Sequence, residues 1–214
     1  MRFAAITALL ISLANALPAG AEGEKAGQFD YYVMALSWSP GWCATDGRNR
    51  GAAQCDTGSK TSFVLHGLWP QYERGYPSYC RTAERDPSRA QSAAMQDIMG
   101  ASGAAWYQWK KHGRCAGLPA TRYYETARQA YRHYQIPEVF RNLTRDVKLP
   151  ASVVEEAFLE ANPGLTRDMV TVTCDQGRID EVRICLNRDL SPRPCGADVI
   201  RDCRMTDALM ERPR

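Results

Sequence analysis

Two of the three histidines in this chain sit in segments that suit proton transfer. His66 lies in Phe63-Val64-Leu65-His66-Gly67-Leu68-Trp69-Pro70. Gly67 leaves its ring uncrowded, and Trp69 offers a flat aromatic face beside it, which suits a site that stacks a base while exchanging a proton. His112 lies in Trp106-Tyr107-Gln108-Trp109-Lys110-Lys111-His112-Gly113-Arg114-Cys115. On a helix, Gln108, Lys111 and His112 fall at i, i+3 and i+4 and share one face. That face would present an amide, an ammonium and an imidazole together. The ammonium can neutralise a phosphoryl oxygen as charge develops on it. An imidazole has a free pKa of about 6.5 and can take or give a proton near neutral pH. Two such rings suit cleavage of RNA at its own 2′-hydroxyl: one removes the 2′-OH proton and the other protonates the leaving 5′-oxygen. The attacking group then belongs to the substrate. Neither a metal nor another cofactor is needed, and DNA, lacking that hydroxyl, is not cut.

The elements that must hold these residues are legible in outline. Phe29 to Trp38 is apolar on both alternating faces and predicts a buried strand. Ser62 to Leu65 predicts a short strand with His66 at its C-terminal end. Residues 40–58 and 70–81 are turn-rich and predict loops. Asp86-Pro87 predicts an N-cap and first helical residue, opening a helix to about Met99. Further helices are predicted over 102–112 (stopped by Gly113), 121–135 and 137–146. Ser152 with Glu155 predicts a capping box for a fifth, ending near Asn162-Pro163-Gly164. Residues 169–174 and 178–186 predict a hairpin, followed by an irregular tail after Leu190. Strands and helices do not alternate as βαβ units. The expectation is therefore an α+β fold with a central antiparallel sheet and flanking helices.

Composition sets the wider frame. With 214 residues, 44% hydrophobic and 24% charged, the chain suits one domain with a real core. Met1-Arg2, the apolar run to Leu17, Pro18 and Ala19-Gly20-Ala21 have the order of a secretory signal, predicting cleavage near Ala21 and a mature domain over 22–214. The alternative, an N-terminal membrane anchor, is short for a span. Removing Arg2 lowers the formal charge from +3 to +2, which permits contact with a polyanion without arguing for one. The eight cysteines all lie in the mature region. Together with the signal they predict up to four disulfides in an oxidising compartment, periplasmic or extracellular.

FVLHGLWP and WKKHGRC resemble the two active-site segments of the ribonuclease T(2) family, and YVMALSWSP and EVRICL resemble its first and late strands. The likeness covers most of the mature chain. It implies a secreted, disulfide-stapled endoribonuclease that cuts single-stranded RNA through a 2′,3′-cyclic phosphate. It implies His66 as general acid, His112 as general base, Lys111 as the cation on the phosphate, and Trp69 with Tyr76 as the base-binding aromatics. It also implies the pairs Cys80–Cys115, Cys174–Cys203 and Cys185–Cys195, leaving Cys43 with Cys55. The family's second segment usually reads H-E-W-x-K-H-G-x-C, where this chain has Tyr107 and Gln108. Gln108 can hydrogen-bond a phosphate but holds no charge, and loss of that carboxylate should lower the pKa of His112. Tyr107 is placed with the substrate-binding residues.

Three other readings are open to the sequence. His66, His112 and His133 could bind zinc, although none shows ligand spacing. His133 by default is a surface residue. The fold could also serve as a secreted RNA-binding or toxin-like module of weak turnover, a thought prompted by Gln108. No later segment suits a membrane, and a monomer is expected.

Overall fold

The computed structural model describes residues 24–214, so the predicted signal lies outside the described residues. The elements in chain order are β1 (Tyr31–Trp38), α1 (Ser39–Trp42), β2 (Phe63–Gln71), α2 (Arg89–Ala93), α3 (Gln96–Met99), α4 (Ser102–Lys111), α5 (Ala120–His133), α6 (Glu138–Arg141), β3 (Val147–Leu149), α7 (Ala151–Ala161), β4 (Val170–Asp175), β5 (Arg178–Leu186) and β6 (Ala208–Met210). One sheet runs β2-β1-β5-β6-β3, with β4 also on β5. The pairings are antiparallel except β5 with β6, which meet in parallel at Arg178 and Leu209. The fold is α+β, as expected, but its sheet is mixed at that one contact. The tail after Leu190 is not wholly irregular, because it returns as β6 to fill the space beside β5.

One face of the sheet carries the main core. Trp38, Phe63, Phe140 and Phe158 cluster there, with ring centroids 4.8 Å apart for Trp38–Phe63 and 5.4 Å for Phe63–Phe158. α5 lays Tyr123, Tyr124, Ala127 and Ala130 onto the same core. The other face of β1 carries Tyr31 and Val33, which pack with Cys185, Val199 and Trp69. β1 is therefore apolar on both sides because both of its sides are covered. All four implied disulfides form: Cys43–Cys55, Cys80–Cys115, Cys174–Cys203 and Cys185–Cys195.

Several predicted boundaries move, each for a local reason. β2 does not stop at Leu65 but runs on to Gln71, so His66 is mid-strand. Pro70 is tolerated because β2 is an edge strand and its missing N–H breaks no ladder bond there. The first helix is capped by Ser88, whose side chain forms a capping box with Gln91, not by Asp86. It also breaks at Ala94 and Met95 into α2 and α3. α5 runs Ala120–His133, and the predicted 137–146 helix shrinks to α6 before the chain turns extended in β3. Ser152 and Glu155 form no capping box: α7 starts after Pro150, and Glu155 is buried against Arg167 at 3.0 Å. The 170–186 hairpin forms as expected around Gln176-Gly177.

Candidate active site

The first histidine reaches its place through an irregularity in β2. Ala35 of β1 pairs with Gly67 and Leu36 with Leu65, so His66 has no opposite residue. This is a β-bulge, a device that re-aims a side chain. Regular alternation would put Leu65 and Leu68 on opposite faces. The extra residue reverses the parity, so Phe63, Leu65 and Leu68 all enter the core while His66 and Trp69 both face the cleft beyond the sheet. Gly67 is required by contact: a Cβ there would come within 2.6 Å of Gln108 Oε1 and collide with the Trp69 indole.

The second histidine ends α4. That helix buries Ala105, Gln108 and Trp109 and leaves Lys110 and Lys111 in its last turn. His112 is its C-cap, and a tight turn over Gly113–Ala116 follows. A Cβ at Gly113 would lie 2.7 Å from Tyr123, so only glycine lets the turn close on the core. Asp86 anchors the helix end: its Oδ1 accepts from Trp109 Nε1 at 2.9 Å and from Arg114 Nη2 at 2.7 Å. Cys80–Cys115 ties the same turn to the loop after β2.

Bulge and helix end meet at one cleft of about 590 Å³, lined by all seven residues singled out in the sequence: His66, Trp69, Tyr76, Tyr107, Gln108, Lys111 and His112. Trp69 stands between the two imidazoles. Its ring is stacked on His112 at 5.2 Å and meets His66 edge-on, also at 5.2 Å. Its Nε1 donates to Gln108 Oε1 at 2.7 Å, which accounts for the burial of that amide. Tyr76 is the open aromatic, 52% exposed, and its loop is held by Gly75 N donating to Asp198 Oδ2 at 2.6 Å. The C-terminal tail thus supports one side of the cleft.

The two histidines have opposite surroundings. His112 is 5% exposed, and its Nδ1 is buried without a hydrogen-bond partner among the described residues. Burial first, then the Lys111 ammonium and His66, push its pKa down to about 3. Desolvation is the largest of these causes, and none of them is the Gln108 amide. His66 instead bonds through Nδ1 to Oε1 of Glu181, a residue not foreseen from the sequence. Glu181 is 3% exposed. Ser37 Oγ donates to its Oε1 at 3.2 Å, and Arg183 donates to its Oε2 from Nε at 2.9 Å and Nη2 at 2.7 Å. Burial opposes its ionisation, yet the hydrogen bond from His66 and the Arg183 guanidinium outweigh it and bring the carboxyl to about 2. A carboxylate only accepts, so the Nδ1 of His66 carries a proton and Nε2 is the nitrogen free to exchange one. Arg183 also lines the cleft, 5.5 Å from the centre of the Trp69 ring. The available signal was weak: Glu181 and Arg183 share one face of β5, but Arg178 and Asp180 are charged too, so nothing local set Glu181 apart. Among the described residues no group of three or more His, Cys, Asp or Glu side chains comes together as a metal site. His133 is exposed, away from this cleft, with its ring against Tyr134.

These shifts carry a stability prediction. His112 is neutral when folded down to about pH 3, whereas an unfolded histidine protonates near 6.5. Below 6.5 the unfolded state therefore binds the extra proton, so this stabilisation is complete above pH 6.5 and is lost as pH falls towards 3. Glu181 adds to the loss below its unfolded value of 4.5, down to about 2. Urea unfolding at pH 7 and pH 4 should show a deficit on the order of 3 kcal/mol from His112. His112→Asn should lose less stability than wild type over the same interval, and equal losses would contradict the buried neutral ring.

The family model described as Ribonuclease T2 family matches residues 29–195. A ribonuclease of Aeromonas hydrophila is 46% identical over 107 residues, covering 50% of this chain and 46% of that protein. The chain spans about half the length of the curated relatives it matches. Among solved structures, the RNase-related protein from Calystegia sepium superposes with a TM-score of 0.64 at 21% identity, covering 87% of this chain and 98% of that one. RNase NT, solved in complex with 5′-AMP, superposes with a TM-score of 0.63 at 19% identity, with the same coverage. The two structures share the fold, and the matched span takes in both histidine segments, β1 and β5: the chain belongs to the Ribonuclease T2 family.

Proposed function

We propose that the protein is a metal-independent endoribonuclease that cuts single-stranded RNA by transphosphorylation. The observation that carries the reading is one cleft holding two imidazoles of unlike surroundings, with Lys111 and Arg183 beside them. His112, held neutral by burial, takes the proton of the 2′-hydroxyl. The 2′-oxygen attacks phosphorus, the bond to the 5′-oxygen breaks, and His66 gives that oxygen its Nε2 proton. The upstream fragment then ends in a 2′,3′-cyclic phosphate and the released downstream fragment begins with a free 5′-hydroxyl. Lys111 and Arg183 are placed to bear the charge gathering on the phosphoryl oxygens, the work a metal would otherwise do. A base packs against the open face of Tyr76 beside the wall made by Trp69. RNase NT, which shares the fold, binds 5′-AMP, and a nucleotide ligand is what the present reading calls for. The four disulfides support a working place in an oxidising compartment, secreted or periplasmic.

The direct test is the chemistry of the ends. Polymeric RNA should give cyclic-phosphate termini, undiminished in strong chelator, and a strand with a single 2′-deoxy residue should resist cutting there. Loss of activity in chelator, or cutting at the deoxy residue, would overturn the mechanism.

Gln108 gives a sharper test. Gln108→Glu keeps the acceptor for Trp69 Nε1 but sets a negative charge beside His112 and Lys111. A neighbouring anion favours the imidazolium, so the pKa of His112 should rise from about 3. The acid limb of the pH–rate profile should then move to higher pH. An unchanged profile and rate would remove Gln108 from the machinery.

A further inference from the structure

The large hydrophobic side chains most exposed among the described residues are Tyr76, Tyr79, Trp106, Tyr107, Val139 and Val153. Three of the four aromatics meet at the edge of the cleft, and Trp106 carries the series outward along α4. Tyr76 and Tyr107 line the cleft, the Tyr79 hydroxyl meets that of Tyr107 at 3.4 Å, and Trp106 precedes Tyr107 on α4. Scattered exposed aromatics need no explanation, but a cluster marks a binding surface.

The helix orders this cluster. Successive residues of an α-helix lie about 100° apart around its axis, and Ala105, Gln108, Trp109 and His112 define the inner face of α4. Passing outward from the cleft edge, the exposed arc is met in the order Lys111, Tyr107, Lys110, Trp106. Cation and aromatic alternate. Lys110 Nζ stands 5.4 Å from the centre of the Trp106 ring, with Asp86 as its carboxylate neighbour at 3.8 Å. Tyr79 is fixed at the near edge of this arc. Its backbone N donates to Lys111 O at 2.8 Å, Cys80 beside it is bridged to Cys115, and its φ of 50° is one that few side chains adopt unless held.

We propose that Tyr79, Trp106 and Lys110 form a stacking surface, a subsite outside the cleft, for the same single-stranded RNA beyond the two nucleosides that flank the linkage being cut. The inference rests on the endoribonuclease reading. Every base has a π-face, so an aromatic ring holds it without regard to sequence, and an adjacent lysine meets the phosphate. The alternation continues the cleft's own pairing of Tyr107 with Lys111. A purely apolar partner would have no use for the interleaved lysines.

The test compares a dinucleoside monophosphate with an octanucleotide containing the same scissile pair. In Tyr79→Ala/Trp106→Ala, kcat/KM for the octanucleotide should fall roughly 5- to 30-fold, while the dinucleotide is cut at the wild-type rate. Trp106→Leu, which keeps apolar bulk without a flat ring, should share part of the octanucleotide loss. An octanucleotide rate that is unchanged, or that falls only as far as the dinucleotide rate, overturns the subsite. If wild type cuts neither substrate, the endoribonuclease reading fails and the subsite is judged by binding. The octanucleotide with a 2′-deoxy scissile residue should then bind the double variant 5- to 30-fold more weakly at low salt, and equal binding would overturn the subsite.

Discussion

Replacing His66 by alanine should lower kcat/KM on RNA by about 10²–10⁴-fold, the usual contribution of one positioned acid or base. The same variant should cut a nucleoside 3′-aryl phosphodiester at close to the wild-type rate. An aryloxide leaves without a proton, so the acid has nothing to supply. His112→Ala should lose about 10²–10⁴-fold on both substrates, because the 2′-hydroxyl must be deprotonated in either case. The contrast follows from the cleft. His112 is held neutral by burial and by Lys111, the state a base needs. His66 is bonded through Nδ1 to Glu181, leaving Nε2 for the leaving oxygen. Equal losses for both variants on the aryl substrate would reject this division of labour.

Glu181 carries the second large effect, on activity and on stability. It is a positioning residue: it touches His66, and no reacting atom is assigned to it. Glu181→Gln should lower kcat on RNA with little change in KM, and should lower it more on RNA than on the aryl substrate, since the acid step depends on His66 while any loosening of Arg183 is felt by both. A merely structural role would depress both substrates alike. Glu181→Asp, which restores the charge on a shorter stem, should recover part of the RNA rate. Glu181→Ala removes the shared acceptor of Ser37, His66 and Arg183 from a site that is 3% exposed. Breaking a fully buried charge pair on one side costs about 3–5 kcal/mol; His66 and Arg183 keep part of their solvent here, so the loss should fall below that range. The thermal midpoint of that variant should therefore drop clearly, while Glu181→Gln, which keeps the shape, should drop less. Equal midpoints for Glu181→Ala and wild type would mean that the carboxylate holds nothing in place.

Seven of the residues that line the cleft were readable from local order and from the family resemblance. Gln108, Lys111 and His112 share a helical face because spacings of three and four residues always do. The His66 segment announced itself by glycine and tryptophan beside a histidine. The α+β class followed from elements that do not alternate regularly, and the disulfide pattern came with the family resemblance. Other features needed the folded chain. β2 looked finished at Leu65 because His66-Gly67 and Pro70 break its alternation, and only pairing with β1 shows the break to be a bulge. Asp86 looked like a helix cap because it precedes proline, but tertiary contact gives its carboxylate to Trp109 and Arg114, and Ser88 caps instead. Glu181 lies 115 positions from His66. Its place is set by two registers, β2 on β1 and β1 on β5, which bring Ser37 opposite both Val64 and Glu181. The sequence by itself determined which side chains could exchange protons, because that depends on residue type and helical spacing. The tertiary structure decided which histidine is buried and which is buttressed, because desolvation and cross-strand partners arise only when distant segments pack.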